Sequence, residues 1–278
     1  MSGHAAIVTG GLRGLGQAMA LGLAGAGDDV LAVGHIDSDV PRLQALLAGS
    51  NRRGRVVPML ADLRGPDACD RVVAAARDLF GRIDILVNCA GLTFTTIWPD
   101  LYRRPEPPKF WELRDEIVQA VMDTNYVAAD QMARRVAPLL VAGGWGRIIN
   151  VTTMLPTMTR ATSGPYGASK AALEMATQIW AQQVAETGVT VNILNPGAGA
   201  NTEGIAEEMR ALSRAGEVPR LTEPEEMVPP LLWLVSSAAD RVNGWRFNAN
   251  RWDTARTPDE NVRWSGRPAG FELRPIPD

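Results

Sequence analysis

Tyr166 and Lys170 are four residues apart, so on one helix they share a face and can act on the same ligand. A tyrosine, with an ordinary pKa of about 10, is a weak proton donor or base at neutral pH, and a neighbouring ammonium favours its phenolate and lowers that value. The pair suits proton transfer with Lys170 tuning Tyr166, although the same spacing also occurs in ordinary surface pairs. Near the start of the chain, Thr9-Gly10-Gly11-Leu12-Arg13-Gly14-Leu15-Gly16 follows an apolar run and opens a helical pattern. Glycines in such a turn let the backbone approach a pyrophosphate, whose charge a helix N-terminus favours. Alone, the turn can equally be a tight strand-to-helix connection.

The elements that must position these residues alternate almost from end to end. Apolar β-rich runs lie at Ala5 to Thr9, Val30 to Val33, Arg55 to Leu60, Ile83 to Asn88, Arg147 to Val151, Val189 to Leu194 and Trp245 to Asn248. Helical patterns fill Leu15 to Ala26, Val40 to Leu47, Pro66 to Phe80, Trp111 to Val141 (read as two helices), Tyr166 to Glu186 and Pro224 to Ser236. Continuously apolar strands joined by helices predict an α/β fold: a single doubly wound, Rossmann-type parallel sheet of about seven strands with helices on both faces. Two segments break the rhythm. Residues 92 to 110, rich in Pro and Arg, read as a long functional loop, and residues 251 to 278 as an arm without obvious secondary structure after a catalytic domain of residues 1 to 250. Trp252, Trp264 and Phe271 in that arm predict that it docks over the pocket mouth or on a neighbouring subunit.

The glycine spacing is T-G-x-x-x-G-x-G, with Gly10, Gly14 and Gly16, and further signatures follow in order. They are Ala61-Asp62-Leu63 after the third strand, Asn88-Cys89-Ala90-Gly91 after the fourth, Asn125 before the fifth, Tyr166-x-x-x-Lys170, and Asn195-Pro196-Gly197. Over residues 4 to 250 the chain thereby resembles the short-chain dehydrogenase/reductase family. The resemblance implies that Asp62 bonds the adenine, that Asn88 to Gly91 and Pro196-Gly197 flank the cofactor, and that Lys170 also binds the nicotinamide ribose. It implies too that Asn125 supports a proton relay. Cys89 replaces the family's second Asn and reads as a small buried residue. The family's carbonyl-orienting serine stands thirteen positions before the tyrosine, where this chain has Thr153, with the same hydroxyl and an added methyl. Thr152 beside it faces the other way if the strand is regular.

The implied activity is reversible hydride transfer between a nicotinamide cofactor and a secondary alcohol or ketone, with Tyr166 as general acid/base and Asn125, Thr153 and Lys170 beside it. The predicted cofactor contacts are Gly10, Arg13, Gly14, Leu15, Gly16, His35, Asp62, Leu63, Asn88, Ala90, Gly91, Tyr166, Lys170, Pro196 and Gly197. An NAD-selecting carboxylate would stand at Gly34, where there is none, and Arg13 resembles the basic residue of NADP-preferring members. The reading favours NADP(H) and leaves NAD(H) open through Asp37, three residues further on; Arg13 can equally be a solvated loop residue. The alternatives are a catalytically silent dinucleotide-binding regulator, which would be expected to lose Tyr166 or Lys170, and an isomerase or dehydratase using the nicotinamide transiently.

With 28 Lys+Arg against 31 Asp+Glu, a net charge of −3 argues against nucleic-acid binding by bulk charge. At 46% hydrophobic and 21% charged the composition is that of a globular chain. Two cysteines make no disulfide framework, and no metal-ligand spacing connects them with His4 or His35. No secretory signal and no membrane span are read from the sequence, so a cytoplasmic protein is expected. Arg103-Arg104 could meet an acidic substrate or form a solvated face. Trp180, Trp233 and Met175 read as core or interface residues. The family habit of pairing long helices, with Leu173, Ala176, Ile179 and Trp180 at helical spacing, predicts a homotetramer or dimer.

Overall fold

The computed structural model describes residues 3–49, 51–101, 106 and 109–271. Eight strands form one sheet in the order β3-β2-β1-β4-β5-β6-β7-β8: β1 Ala5–Thr9, β2 Asp29–Gly34, β3 Val56–Leu60, β4 Ile85–Asn88, β5 Gly146–Val151, β6 Val189–Asn195, β7 Trp245–Asn248 and β8 Gly266–Pro268. All neighbours are parallel except β7 and β8, which are antiparallel. Every residue of β1, β4, β5 and β6 is buried, as continuous apolar strands require when helices cover both faces.

The helices are α1 Gly14–Ala26, α2 Asp39–Ala48, α3 Ala68–Phe80, α4 Phe94–Ile97, α5 Asp115–Met122, α6 Ala128–Ala142, α7 Leu155–Thr159, α8 Gly164–Gln183, α9 Glu207–Ala215, α10 Val228–Leu234 and α11 Pro258–Ser265. On one face Met19 and Leu23 of α1, Leu43 of α2 and Leu231 and Leu234 of α10 pack on the sheet; on the other, Val72 of α3, Met132 and Val136 of α6 and Ala181 of α8 do so. The chain leaves β1 for β2 on one side and reaches β4 on the other, so the carboxyl ends of β1 and β4 open a crevice at this switch point.

Several expectations are corrected. The sheet has eight strands, because the tail is structured: Thr257 and Glu260 cap α11 reciprocally, the Thr257 hydroxyl accepting from the Glu260 N–H and the Glu260 carboxylate from the Thr257 N–H at 2.8 Å, and β8 then pairs with β7. Trp252 does not cover the crevice; its ring packs on Trp233 and Phe247. Trp264 is 52% exposed, beneath the guanidinium of Arg256. The two helices expected over 111–141 are α5 and α6, joined by a wider π-helical turn at Asp123–Val127 instead of a loop. Within one chain Leu173 and Ala176 are buried, Trp180 is partly buried against the core, and Ile179 is 51% exposed. In the 92–110 segment, Ile97 and Trp98 build a third small core with Val121, against which Tyr166 packs. Arg103-Arg104 lie outside the described residues.

Candidate active site

A cleft of about 680 Å³ runs along the crevice. Its floor at one end is the turn after β1. Gly10 adopts φ +67°, and a Cβ there would stand 2.9 Å from the Ala90 backbone; at Gly16 it would strike the Gly10 carbonyl oxygen at 2.2 Å. Only glycine permits this approach of the turn to α1 and to the strand beside it. The first turn of α1 has no side-chain cap and no acidic residue, so its N–H groups are left for an anion. Thr9, which opens the glycine motif, braces the neighbouring turn. Its hydroxyl accepts the N–H groups of Cys89 and Ala90 at 3.0 and 3.1 Å, locking the β4 turn against β1.

Arg13, Gly14, Leu15, His35, Asp62, Leu63, Ala90, Gly91, Pro196 and Gly197 all line the cleft with Gly10 and Gly16. Asn88 does not. It is buried at the end of β4, its amide donating to Asn150 at 2.9 Å and towards the Ala129 carbonyl at 3.4 Å. A Cβ at Gly34 would stand 2.8 Å from the Leu12 side chain, which would have to move to admit a carboxylate there. Asp37 is exposed and outside the cleft lining; the carboxylate shortly after β2 that lines it is Asp39, which faces Arg13 and Arg42. A bidentate hydrogen-bonded pair with Arg64 holds the Asp62 carboxyl at about 2.

At the other end, Thr153, Tyr166 and Lys170 meet. Lys170 donates to the Val151 carbonyl at 2.8 Å, and burial lowers its ammonium to about 8. From the sequence, Lys170 is expected to lower Tyr166. In the free protein burial dominates and raises the phenol, the Thr153 hydroxyl pulling the other way. Thr152 and Thr153 divide as a strand end should: the Thr152 hydroxyl donates to Glu174 at 3.2 Å, whereas Thr153 serves Tyr166. Asn125, inside the π-helical turn, sits behind the lining. It accepts from the Leu92 N–H at 2.7 Å and donates to the Leu92 carbonyl at 3.1 Å and to Ser169 at 3.0 Å, so it joins the β4 turn to α8.

The Pro196-Gly197 turn is secured from the end of β7. Asn248 accepts from the Asn195 amide at 2.9 Å, and the Asn250 N–H donates to the Pro196 carbonyl at 3.2 Å. Above it the Thr93 hydroxyl donates to the Gly204 carbonyl at 2.7 Å, bridging the cleft walls, and the rings of Phe94 and Tyr166 lie 4.9 Å apart. Among the described residues no group of His, Cys, Asp and Glu could hold a metal ion, and no helix is long and apolar enough to cross a membrane.

A doubly wound sheet with a glycine turn at its switch point and a tyrosine–lysine pair at its carboxyl edge defines a nicotinamide-dependent oxidoreductase class. The chain belongs to the short-chain dehydrogenase family, whose model matches residues 4–211. It is 34% identical over 251 residues to the 2-dehydro-3-deoxy-D-gluconate 5-dehydrogenase of Escherichia coli (strain K12), covering 88% of this chain and 93% of that one. It is 31% identical over 254 residues to a 3-oxoacyl-[acyl-carrier-protein] reductase of Vibrio cholerae, covering 90% and 97%. Among solved structures, that of a putative NAD(P) dependent gluconate 5-dehydrogenase from Beutenbergia cavernae, with NADP bound at low occupancy, superposes with a TM-score of 0.75 at 30% identity, covering 90% of this chain and 96% of that one.

Proposed function

We propose that this chain interconverts a secondary alcohol and a ketone with NADP(H) as hydride carrier. The observation that carries the reading is the meeting of Thr153, Tyr166 and Lys170 at one end of a cleft whose other end is a glycine turn and an uncapped helix. The residues fit a dinucleotide: the α1 N-terminus and Gly10 to Gly16 would hold the pyrophosphate, Asp62 and Leu63 the adenine, Lys170 the ribose beside the nicotinamide, and Pro196-Gly197 the ring itself. When bound, the cofactor accepts or supplies the hydride. Thr153 holds the substrate oxygen through its hydroxyl. Tyr166 takes the hydroxyl proton in oxidation and returns it in reduction, a contribution of roughly 10² to 10⁴ in rate. A silent regulator has no use for these three side chains in one place.

Arg160 supports an anionic substrate. Of the arginines lining the cleft, Arg13 faces Asp39, Arg64 pairs with Asp62 and Arg220 with Glu226, whereas Arg160 lies over the Phe94 ring with no carboxylate partner among the described residues. A hydroxy or oxo acid would place its carboxylate there and its carbinol carbon near Tyr166. That agrees in chemistry with the gluconate-type names of two relatives. The test is a screen of sugar acids, hydroxy acids and neutral alcohols with both nicotinamide cofactors, followed by cofactor absorbance. Turnover of none of them, with cofactor binding intact, overturns the reading.

A further inference from the structure

Behind Thr153 lies a pair of buried charges that the proposed chemistry does not touch. Arg246 on β7 and Glu174 on α8 are 3% and 0% exposed, with Nε and Oε1 3.4 Å apart. Glu174 is four residues beyond Lys170, so Tyr166, Lys170 and Glu174 form one stripe along α8. Its carboxylate accepts from the Thr152 hydroxyl at 3.2 Å and from the Gly270 N–H at 3.3 Å. Arg246 donates through Nη2 to the backbone carbonyl of Thr153 at 2.7 Å. Three separate parts of the chain, the end of β5, the catalytic helix and the segment after β8, thus converge on one pair of charges.

Burial works against both members, raising Glu174 and lowering Arg246; each is answered by the other's charge, and Glu174 also by the Thr152 and Gly270 donors. Such pairs commonly add little to stability beyond what apolar residues of the same volume would give. What this pair supplies that apolar residues cannot is a directed donor to one peptide carbonyl, that of the residue whose hydroxyl meets Tyr166. A displacement of about 1 Å in a positioning group can cost about a hundredfold in rate.

We propose that Glu174 and Arg246 are positioning residues that, with the Gly270 amide, clamp the Thr153 peptide and thereby hold the Thr153 hydroxyl in register with Tyr166. This rests on the reading of Thr153 and Tyr166 given above. Gly270 becomes part of the positioning machinery although it lines no part of the cleft.

The test uses the full chain with NADP bound. The double variant Glu174→Met/Arg246→Met removes both charges together, so no lone charge is left buried. It should bind NADP within about twofold of the parent and lose about tenfold or more in kcat with KM nearly unchanged. In a Thr153→Val background the same two changes should cost less than about twofold, because the group they position is gone. Full kcat in the folded double variant, or an undiminished loss in the Thr153→Val background, overturns the clamp. Arg246→Lys keeps a charge opposite Glu174 and serves if the neutral pair does not fold; a kcat equal to the parent's would likewise count against it. Hydrogen exchange of the amides at 152–158, faster in the variants if the clamp exists and unchanged if it does not, reads the hold without turnover. An inactive parent enzyme therefore defeats the proposed function alone.

Discussion

Arg13 and Asp39 face each other at 3.6 Å at the end of the cleft beyond β2, and Arg42 approaches the same carboxylate at 3.8 Å. The acid nearest the ribose position is thus already answered by two guanidiniums, and Arg13, half exposed, keeps donors for a 2′-phosphate. Arg13→Ala should lower kcat/KM with NADPH by tenfold or more, roughly 1.4 kcal/mol in transition-state binding, and leave NADH within about threefold. Asp39→Asn should widen the preference for NADPH. A tenfold preference of the unaltered protein for NADH would overturn the assignment and make Asp39 the ribose ligand.

Tyr166→Phe should abolish nearly all turnover and leave cofactor binding intact, since only the proton-transferring oxygen is removed. Thr153→Ser should keep activity, and Thr153→Val should lose most of it. With the phenol raised by burial, the free protein holds Tyr166 as a proton donor at neutral pH, so alcohol oxidation, which needs the phenolate, should climb with pH while ketone reduction falls. The chain has three tyrosines, and an ultraviolet titration of the parent minus Tyr166→Phe isolates this one. A phenol titrating well below 10 in the free protein would refute the direction.

Lys170 should make the protein more stable in alkali. Its ammonium is lowered from 10.5 to about 8 in the folded chain, so between those values the unfolded chain binds more protons and stability rises with pH. As pH falls from 10.5 to 8 that contribution is lost, and below 8 the penalty is constant. Lys170→Met removes it, so the variant should melt above the parent at neutral pH, with the gap closing towards pH 10.5. Parallel melting curves across the range would contradict this.

Arg160→Ala should raise KM for a carboxylate-bearing substrate about tenfold or more and change KM for a neutral secondary alcohol by less than about twofold. Steady-state kinetics on one substrate of each kind decide it. Equal effects on both would assign Arg160 to the packing of Phe94.

The sheet was legible because its strands are mostly apolar and bounded by turn residues: β1 and β7 end where the pattern ends, and the other predicted strands agree within two residues. The glycine turn, Tyr166 and Lys170 could be read because short, fixed spacings carry them. Less visible was what depends on distant partners. Nothing near Trp252 says that it will meet Trp233 and Phe247, and β8 is three residues with a proline, a strand only because the β7 edge is there to pair with it. Glu174 stands between the apolar Leu173 and Met175 in the sequence, and only the arrival of Arg246 from β7 and Gly270 from the tail gives it a role. Asn88 matched a motif whose neighbours line the cleft, yet its own side chain turns inward to Asn150.

The pairing of β8 with β7 also sets a schedule for synthesis. Every parallel strand can be in place while residues 266–268 are still inside the ribosome, and until they emerge the open edge of β7 remains a template for any extended chain nearby. The hazard closes once residues 266–268 have emerged and paired with β7. A message truncated shortly before that point yields a protein with a nearly complete sheet and a sticky border, so premature stops in this region should be recognised by aggregation.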